Sequence, residues 1–485
     1  MLQTKHATAG HDVAAGQGVC AAVRSRRSGP GHIQHDERYA MAQQRDEGKT
    51  PDLHEPTASA ESPPAPTDRP DAPAPPPPAG AVVKIGALQD MTGATSDVGK
   101  DEALGVAEAA AYFNDQGGIN GKPIKLYQYD YGYRVPEAVT TYKRFRDFDK
   151  VIAVLGWGTG DTEALKPTIT KDKIVYNSSS FSGHLCDPKE APYNFVYSSD
   201  YSTKARATLQ YWYDNYWMKD PRYKADREAG RKPRFAFFGA FASPYATAPV
   251  EAIKDQAKLN GFEFLKDQDV TLWALDTKSQ VLAVSKNPPD FVWHGNTTMS
   301  VATTLKDFYA LGLTGPGKKT MHGINIWGFD ENLIKLAGPA SEEAIAAAPC
   351  AYFVWDYPWK DRVVAYCKKI HPGTPLSARL VRTVQGWVKV GLVVQALKAM
   401  DKAGELDLRP EALAKTRAGL KKYMEADFSS FTKNLGLPEY VTTATDHRPS
   451  GKIIIAQIEG GKIVNRGVMD MKARYSDLWP KWLGW

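Results

Sequence analysis

From residue 82 onward, short β-branched runs alternate with longer stretches whose apolar residues recur every three or four positions. Residues 82–88 read Val-Val-Lys-Ile-Gly-Ala-Leu, a buried strand. A loop rich in Thr, Gly and Ser follows over 92–99. Ala103, Val106, Ala107, Ala110 and Ala111 then trace one face of an amphipathic helix. Gly117-Gly118 ends it, because glycine accepts the left-handed backbone of a helix C-terminus. Further strands are predicted at 125–130, 151–155, 174–177, 235–239, 264–271, 291–294 and 320–327. Helices are predicted at 136–148, 162–171, 203–217, 246–260, 278–285 and 299–311. A long helix spans 378–400, with Leu380, Val384, Trp387, Val388 and Leu392 on one face. Residues 453–458 and 462–466 form a late hairpin around Gly460-Gly461. Strict strand–helix alternation predicts the α/β class, with parallel sheets covered on both faces. Two sheets suit 485 residues better than one.

Residues 1–81 follow another pattern. Eleven prolines fall between Pro51 and Gly80, four of them in the run Pro75–Pro78, and apolar periodicity is missing. Such a segment buries too little apolar surface to offset its ordering entropy, so a disordered, Pro-rich tether is expected. It shows no basic start followed by an apolar stretch. Arg26-Arg27 is followed by Ser28-Gly29-Pro30-Gly31, and Cys20 lies in a poor lipidation context. A start codon placed too early or an atypical leader would account for this.

The excess of 61 basic over 55 acidic side chains is mild and scattered, which argues against a nucleic-acid partner. No apolar run approaches the roughly 18 residues of a membrane-spanning helix. The aromatic content is unusual in kind, with 12 Trp and 23 Tyr, residues suited both to cores and to gripping organic ligands.

In open α/β sheets, ligands sit beyond the carboxyl ends of the strands. Here those ends are rich in small, hydroxylated and aromatic residues. Residues 156–161 read Gly-Trp-Gly-Thr-Gly-Asp and 178–183 read Ser-Ser-Ser-Phe-Ser-Gly. Later ends carry Gly295-Asn296-Thr297-Thr298 and residues 323–328, Gly-Ile-Asn-Ile-Trp-Gly. Hydroxyls and free N–H groups at helix starts hold polar head groups. Trp157 reads equally as a stacking surface or a cleft rim. Asp161, in the first turn of the helix that should face an anionic ligand, would compete with it.

Within residues 82–130 the order is strand, Thr-Gly loop, helix, then Asn114-Asp115-x-Gly117-Gly118-Ile119-Asn120-Gly121-Lys122, then strand. This resembles the opening of the type I periplasmic binding proteins of the branched-chain amino-acid ABC transporter family. Asp130 with Pro136-x-Ala138, Val154-Leu155-Gly156, Ser243-Pro244-Tyr245 and Asp446-His447-Arg448 match further landmarks, and the likeness covers about 82–475. It implies two doubly wound lobes joined by three crossover hinge segments, with a ligand cleft between them. Lobe 1 would be 82–200 with 350–440, and lobe 2 would be 201–349 with 441–485. It implies ligand contacts at Thr159 and Gly160, at Ser179 and Phe181, at Tyr245 and at Asn296–Thr297, with Trp157 beside them. The acid that pairs a ligand ammonium in amino-acid binders falls on neutral Asn325. A neutral polar or aromatic solute is therefore expected at least as much as a branched-chain amino acid.

The resemblance further implies a monomer without cofactor, partnered with a membrane permease and placed in the periplasm or tethered outside the cytoplasm. A cytoplasmic amide sensor on the same fold is the alternative. Catalytic constellations are missing: no Gly-x-Ser-x-Gly elbow, no His-Glu-x-x-His and no phosphate-binding Gly-Lys-Ser/Thr loop. His294 and His322, each followed by glycine, suggest a hydrogen-bonded structural pair rather than a metal site. Trp355, Tyr357 and Trp359 alternate as on a strand edge or a cleft wall. Cys350 and Cys367, on a predicted strand and the helix after it, leave a disulfide or two buried thiols open.

Overall fold

The computed structural model describes residues 80–485, so the tether expected over 1–81 lies almost wholly outside the described residues. Among the described residues, thirteen strands form two sheets. The first has the order β2-β1-β3-β4-β5, from β1 (Val83–Gln89), β2 (Ile124–Asp130), β3 (Ala153–Gly156), β4 (Val175–Ser178) and β5 (Asn194–Val196), all parallel. The second runs β13-β12-β11-β10-β9-β6-β7. It comprises β6 (Arg234–Gly239), β7 (Glu263–Phe264), β8 (Gln268–Asp269, also paired with β6), β9 (Phe291–His294), β10 (Met321–Ile324), β11 (Ile345–Ala347), β12 (Lys452–Glu459) and β13 (Lys462–Asp470). Its centre is parallel, but β12 and β13 form an antiparallel edge. The molecule is thus a two-lobed α/β protein.

Helices α1 (Ser96–Asp115), α2 (Val135–Arg144) and α3 (Thr159–Asp172) alternate with the first strands. Those of the second sheet are α4 (Tyr201–Trp212), α5 (Lys224–Glu228), α6 (Pro244–Thr247), α7 (Val250–Leu259), α8 (Lys278–Ser285), α9 (Thr298–Ala310) and α10 (Glu331–Ala337). The chain then returns through α11 (Lys360–Ile370), α12 (Val381–Lys402), α13 (Leu413–Met424) and α14 (Ser429–Thr432), and closes with α15 (Met471–Arg474). α12 packs along α1 and under β3 and β4. The two helices meet at glycines: a Cβ on Gly105 would lie 2.2 Å from the Thr383 carbonyl oxygen, and one on Gly386 2.6 Å from the Val106 nitrogen. No larger residue permits that approach.

Differences from the expected elements have local causes. The 264–271 strand divides into β7 and β8, separated by Leu265-Lys266-Asp267. The strand expected over 320–327 stops at Ile324, where Asn325 starts a 3-10 turn over Ile326–Gly328. Trp355, Tyr357 and Trp359 lie in the irregular segment before α11 rather than on a strand. Trp355 Nε1 donates to the Ile463 carbonyl at 2.7 Å, and Trp359 packs edge-on against Tyr112 and Phe431. The turn that carried the family likeness uses four left-handed residues, Gly117, Gly118, Asn120 and Gly121. Its Gly-Gly and Asn-Gly pairs follow from that geometry.

The chain passes between the sheets three times, and the crossings lie side by side. Ser198 Oγ donates to the Pro349 carbonyl at 2.7 Å, and Ser199 Oγ to the Ser450 carbonyl at 2.9 Å. Among the described residues no helix is long and apolar enough to cross a membrane. The three described cysteines, Cys186, Cys350 and Cys367, are free, so Cys350 and Cys367 form no disulfide.

Candidate functional site

The carboxyl ends of both sheets face one another across a narrow cleft. From the first lobe come Thr95 and Val98 before and within α1, Tyr133 after β2, Trp157 and Gly158 between β3 and α3, Thr159 at the start of α3, and Ser179 after β4. The second lobe contributes Tyr201 at the start of α4, Tyr245 on α6, Thr297 before α9 and Trp327 after β10. Together they enclose about 20 Å³, room for roughly one water, so the lobes stand closed.

Five of the nine residues expected from the sequence meet here: Trp157, Thr159, Ser179, Tyr245 and Thr297. Phe181 stands one layer back, stacked on Trp327 at 6.0 Å between ring centres. Gly160 faces the opposing lobe, where a Cβ would lie 3.6 Å from Pro244. The Asn296 amide is spent on backbone: its Oδ1 accepts from Ala240 N and its Nδ2 donates to the Val270 carbonyl, both at 3.0 Å. The Asn296 carbonyl in turn accepts the Tyr245 hydroxyl at 2.9 Å. Asn325 lies outside the cavity lining; its Oδ1 accepts from Ile326 N at 2.8 Å, and its Nδ2 has no partner.

Thr95, Val98, Tyr133, Gly158, Tyr201 and Trp327 line the cavity without having been singled out in the sequence. Gly158 and Trp327 did fall in segments recognised as strand-end loops, and Thr95 and Val98 in the Thr-, Gly- and Ser-rich loop over 92–99. Tyr201 and Tyr133 gave no signal beyond being aromatic.

Polar groups around the cavity are paired with one another. Trp157 Nε1 donates to Thr95 Oγ1 at 2.9 Å, and Trp327 Nε1 to the Tyr201 hydroxyl at 2.7 Å. Behind Ser179 lies a buried ion pair. Lys389 Nζ donates to Glu102 Oε1 and to Ser179 Oγ, each at 2.7 Å; Ser179 Oγ donates to Glu102 Oε1 at 2.6 Å; and the Tyr197 hydroxyl reaches Glu102 Oε2 at 2.8 Å. Burial holds the Lys389 ammonium below its usual range, opposed by the Glu102 charge. Such a pair brings little net stability, but it gives Ser179 one fixed orientation.

Asp161 is not presented to the cavity as an open charge. Its carboxylate folds back so that a Cβ on Gly158 would meet Oδ1 at 2.2 Å, and Oδ1 accepts the Tyr131 hydroxyl at 2.7 Å. Burial pushes its carboxyl up to about 7, against the Tyr131 hydrogen bond that lowers it. Asp97, in the first turn of α1 and facing Met299 of α9, is raised to about 6, first by burial and then by the Asp330 charge.

A second set of bonds ties the lobes together beside the cavity. Arg382, fully buried on α12, donates to the Ile326 carbonyl at 2.7 Å, approaches Asp330 at 3.4 Å and rests on the Trp327 ring. Glu331 on α10 reaches back, accepting from Val381 N at the start of α12 and from Phe353 N, both at 2.9 Å.

A family model described as Periplasmic binding protein matches residues 82–462. The chain belongs to that family. This periplasmic binding protein is similar in structure to an ABC transporter substrate-binding protein of Aeropyrum pernix: TM-score 0.70 and 27% identity, covering 83% of this chain and 99% of that one. A branched-chain amino acid ABC transporter structure from Thermus thermophilus with bound valine shares the fold: TM-score 0.70 and 22% identity over 82% of this chain and 98% of that one. A Pseudomonas aeruginosa protein named "Amino acid binding protein" is 41% identical over 76 residues. That match spans 16% of this chain and 20% of the relative's length.

The histidine pair is buried in the second lobe and is not part of the cavity lining. His294 Nε2 and His322 Nδ1 lie 2.9 Å apart, packed against Phe238 and Phe308. Among the described residues no three or more His, Cys, Asp and Glu side chains group as metal ligands would.

Proposed function

We propose that this periplasmic binding protein is the substrate-binding component of an ABC transporter, capturing a small polar or aromatic organic solute by hinge closure and presenting it to a membrane permease. The observation that carries the reading is the cavity closed between two lobes, walled by Tyr133, Trp157, Tyr201, Tyr245 and Trp327 and edged with Thr and Ser hydroxyls. Ligand contacts contributed by both lobes favour the closed state, and a permease that reads closure senses occupancy. The likeness to the Aeropyrum pernix substrate-binding protein supports this reading. A monomer outside the cytoplasm, periplasmic or tethered, fits the same role.

The solute class follows from charge. Lys389 is paired with Glu102, and Arg382 is held by Asp330 and the Ile326 carbonyl, so neither cation is free for a ligand carboxylate. A solute that meets rings and hydroxyls avoids leaving a buried charge unpaired. The test is a thermal-shift screen over amides, urea, aromatic alcohols and acids, polyols and amino acids. A ligand at 100 times its Kd adds about 2.7 kcal/mol of stability. A screen in which no class shifts the transition, with small-angle scattering showing no compaction, would overturn the proposal. Fractionation of the native strain tests the location.

A further inference from the structure

The aromatic cavity does not end at Tyr133. Beside that residue lies an open chamber of about 410 Å³, bounded by Val135, Gly160 and Asp161 from the first lobe and by Ala242, Pro244 and Leu272 from the second. Tyr133 lines both spaces, so the two adjoin at that residue. Its backbone sits at φ 56°, in the left-handed region that a bulky side chain adopts only when its surroundings impose it. Residues held in this way concentrate at ligand clamps.

The chemistry of the chamber is one-sided. Its walls are mostly apolar, and its two charged lining residues are both carboxylates, Asp161 and Asp269; no Lys or Arg lines it. Asp269 is exposed and spends Oδ1 on Phe241 N at 3.0 Å. Asp161 is 2% exposed, and with Oδ1 bound to Tyr131 its Oδ2 is buried without a hydrogen-bond partner. A buried acceptor left unsatisfied is costly, and a charged donor relieves that cost more fully than a neutral one.

We propose that this chamber is a second subsite of the cleft, and that it takes the amine end of an elongated solute whose uncharged end enters the aromatic cavity. The proposal rests on the reading of that cavity as the solute site. The amine pairs with the Asp161 carboxylate, the carbon chain passes Tyr133, and the apolar walls cover the middle of the solute. A solute with a carboxylate at that end would meet two carboxylates and no cation.

The test is titration calorimetry of the full chain with 2-phenylethylamine and with 2-phenylethanol, which match in size and differ in charge. The expected result is at least tenfold tighter binding of the amine. Asp161→Asn keeps an acceptor for Tyr131 and should remove the preference by weakening the amine alone. Ala242→Trp, at an exposed wall position, should fill the chamber and weaken both probes. Equal affinities, no binding of either probe, or a preference that survives Asp161→Asn would overturn the proposal. Should the amine preference vanish in Asp161→Asn while Tyr245→Ala leaves both affinities unchanged, the chamber stands and the reading of the aromatic cavity falls.

Discussion

The Arg382 guanidinium lies 4.7 Å from the centre of the Trp327 ring, so a cation fixed on one lobe rests against a wall of the cavity supplied by the other. Its bond to the Ile326 carbonyl and its approach to Asp330 require the lobes to be together. Arg382→Ala should therefore weaken solute binding at least tenfold without touching the solute, mainly through faster dissociation. Stopped-flow release and equilibrium titration measure the two parts. Unchanged dissociation would remove Arg382 from closure.

Tyr245 separates ring from hydroxyl. Tyr245→Phe keeps the wall but strips the Asn296 carbonyl of its donor, which should cost about 1 kcal/mol of stability and little affinity. Tyr245→Ala should lower affinity at least tenfold and also reduce stability, because the ring is buried and packs edge-on against Tyr201. Thermal unfolding and calorimetry of the two variants check this.

Leucine, isoleucine and valine should bind weakly or not at all. No Asp or Glu lines the aromatic cavity, so their ammonium would meet no counter-charge there. Titration with leucine is direct, and micromolar binding would show that a carboxylate such as Asp97 turns inward to supply the charge.

The buried histidines predict a pH window. Desolvation holds His294 down at about 3, and His322 is depressed by burial and by His294. A base whose folded pKa lies below its unfolded value of about 6.5 binds more protons when unfolded. Its contribution is complete above pH 6.5 and is lost progressively as the pH falls toward 3. Two imidazole signals should stay flat in NMR titrations from pH 8 to 5 while unfolding becomes easier. Replacing the pair by apolar residues of similar volume should flatten that slope.

The alternation of elements was legible because buried parallel strands read as short apolar runs and the helices carry a clear three-to-four-residue period. The three-residue strands Asn194–Val196 and Ile345–Ala347 are too short for any period to show. The strand-end loops were legible as places where a ligand could sit, but not in their side-chain detail. Asn296 looks like a ligand donor until its amide is seen bound to Ala240 and Val270. Tyr201 carries no signal beyond its ring, and only the meeting of the two lobes turns it and the strand-end Trp327 toward one cavity. Asp161 was visible as a charge, but its retreat over Gly158 depends on a Tyr131 contact thirty positions away in sequence.

The glycine contact between α1 and α12 has a consequence for how the chain is made. α1 emerges early from the ribosome, but the helix that covers it is translated only after the whole central part of the second sheet. Until residues 381–402 arrive, the apolar flank of α1 and the underside of β3 and β4 have no cover. The first lobe therefore cannot complete its core until residues 381–402 have been made.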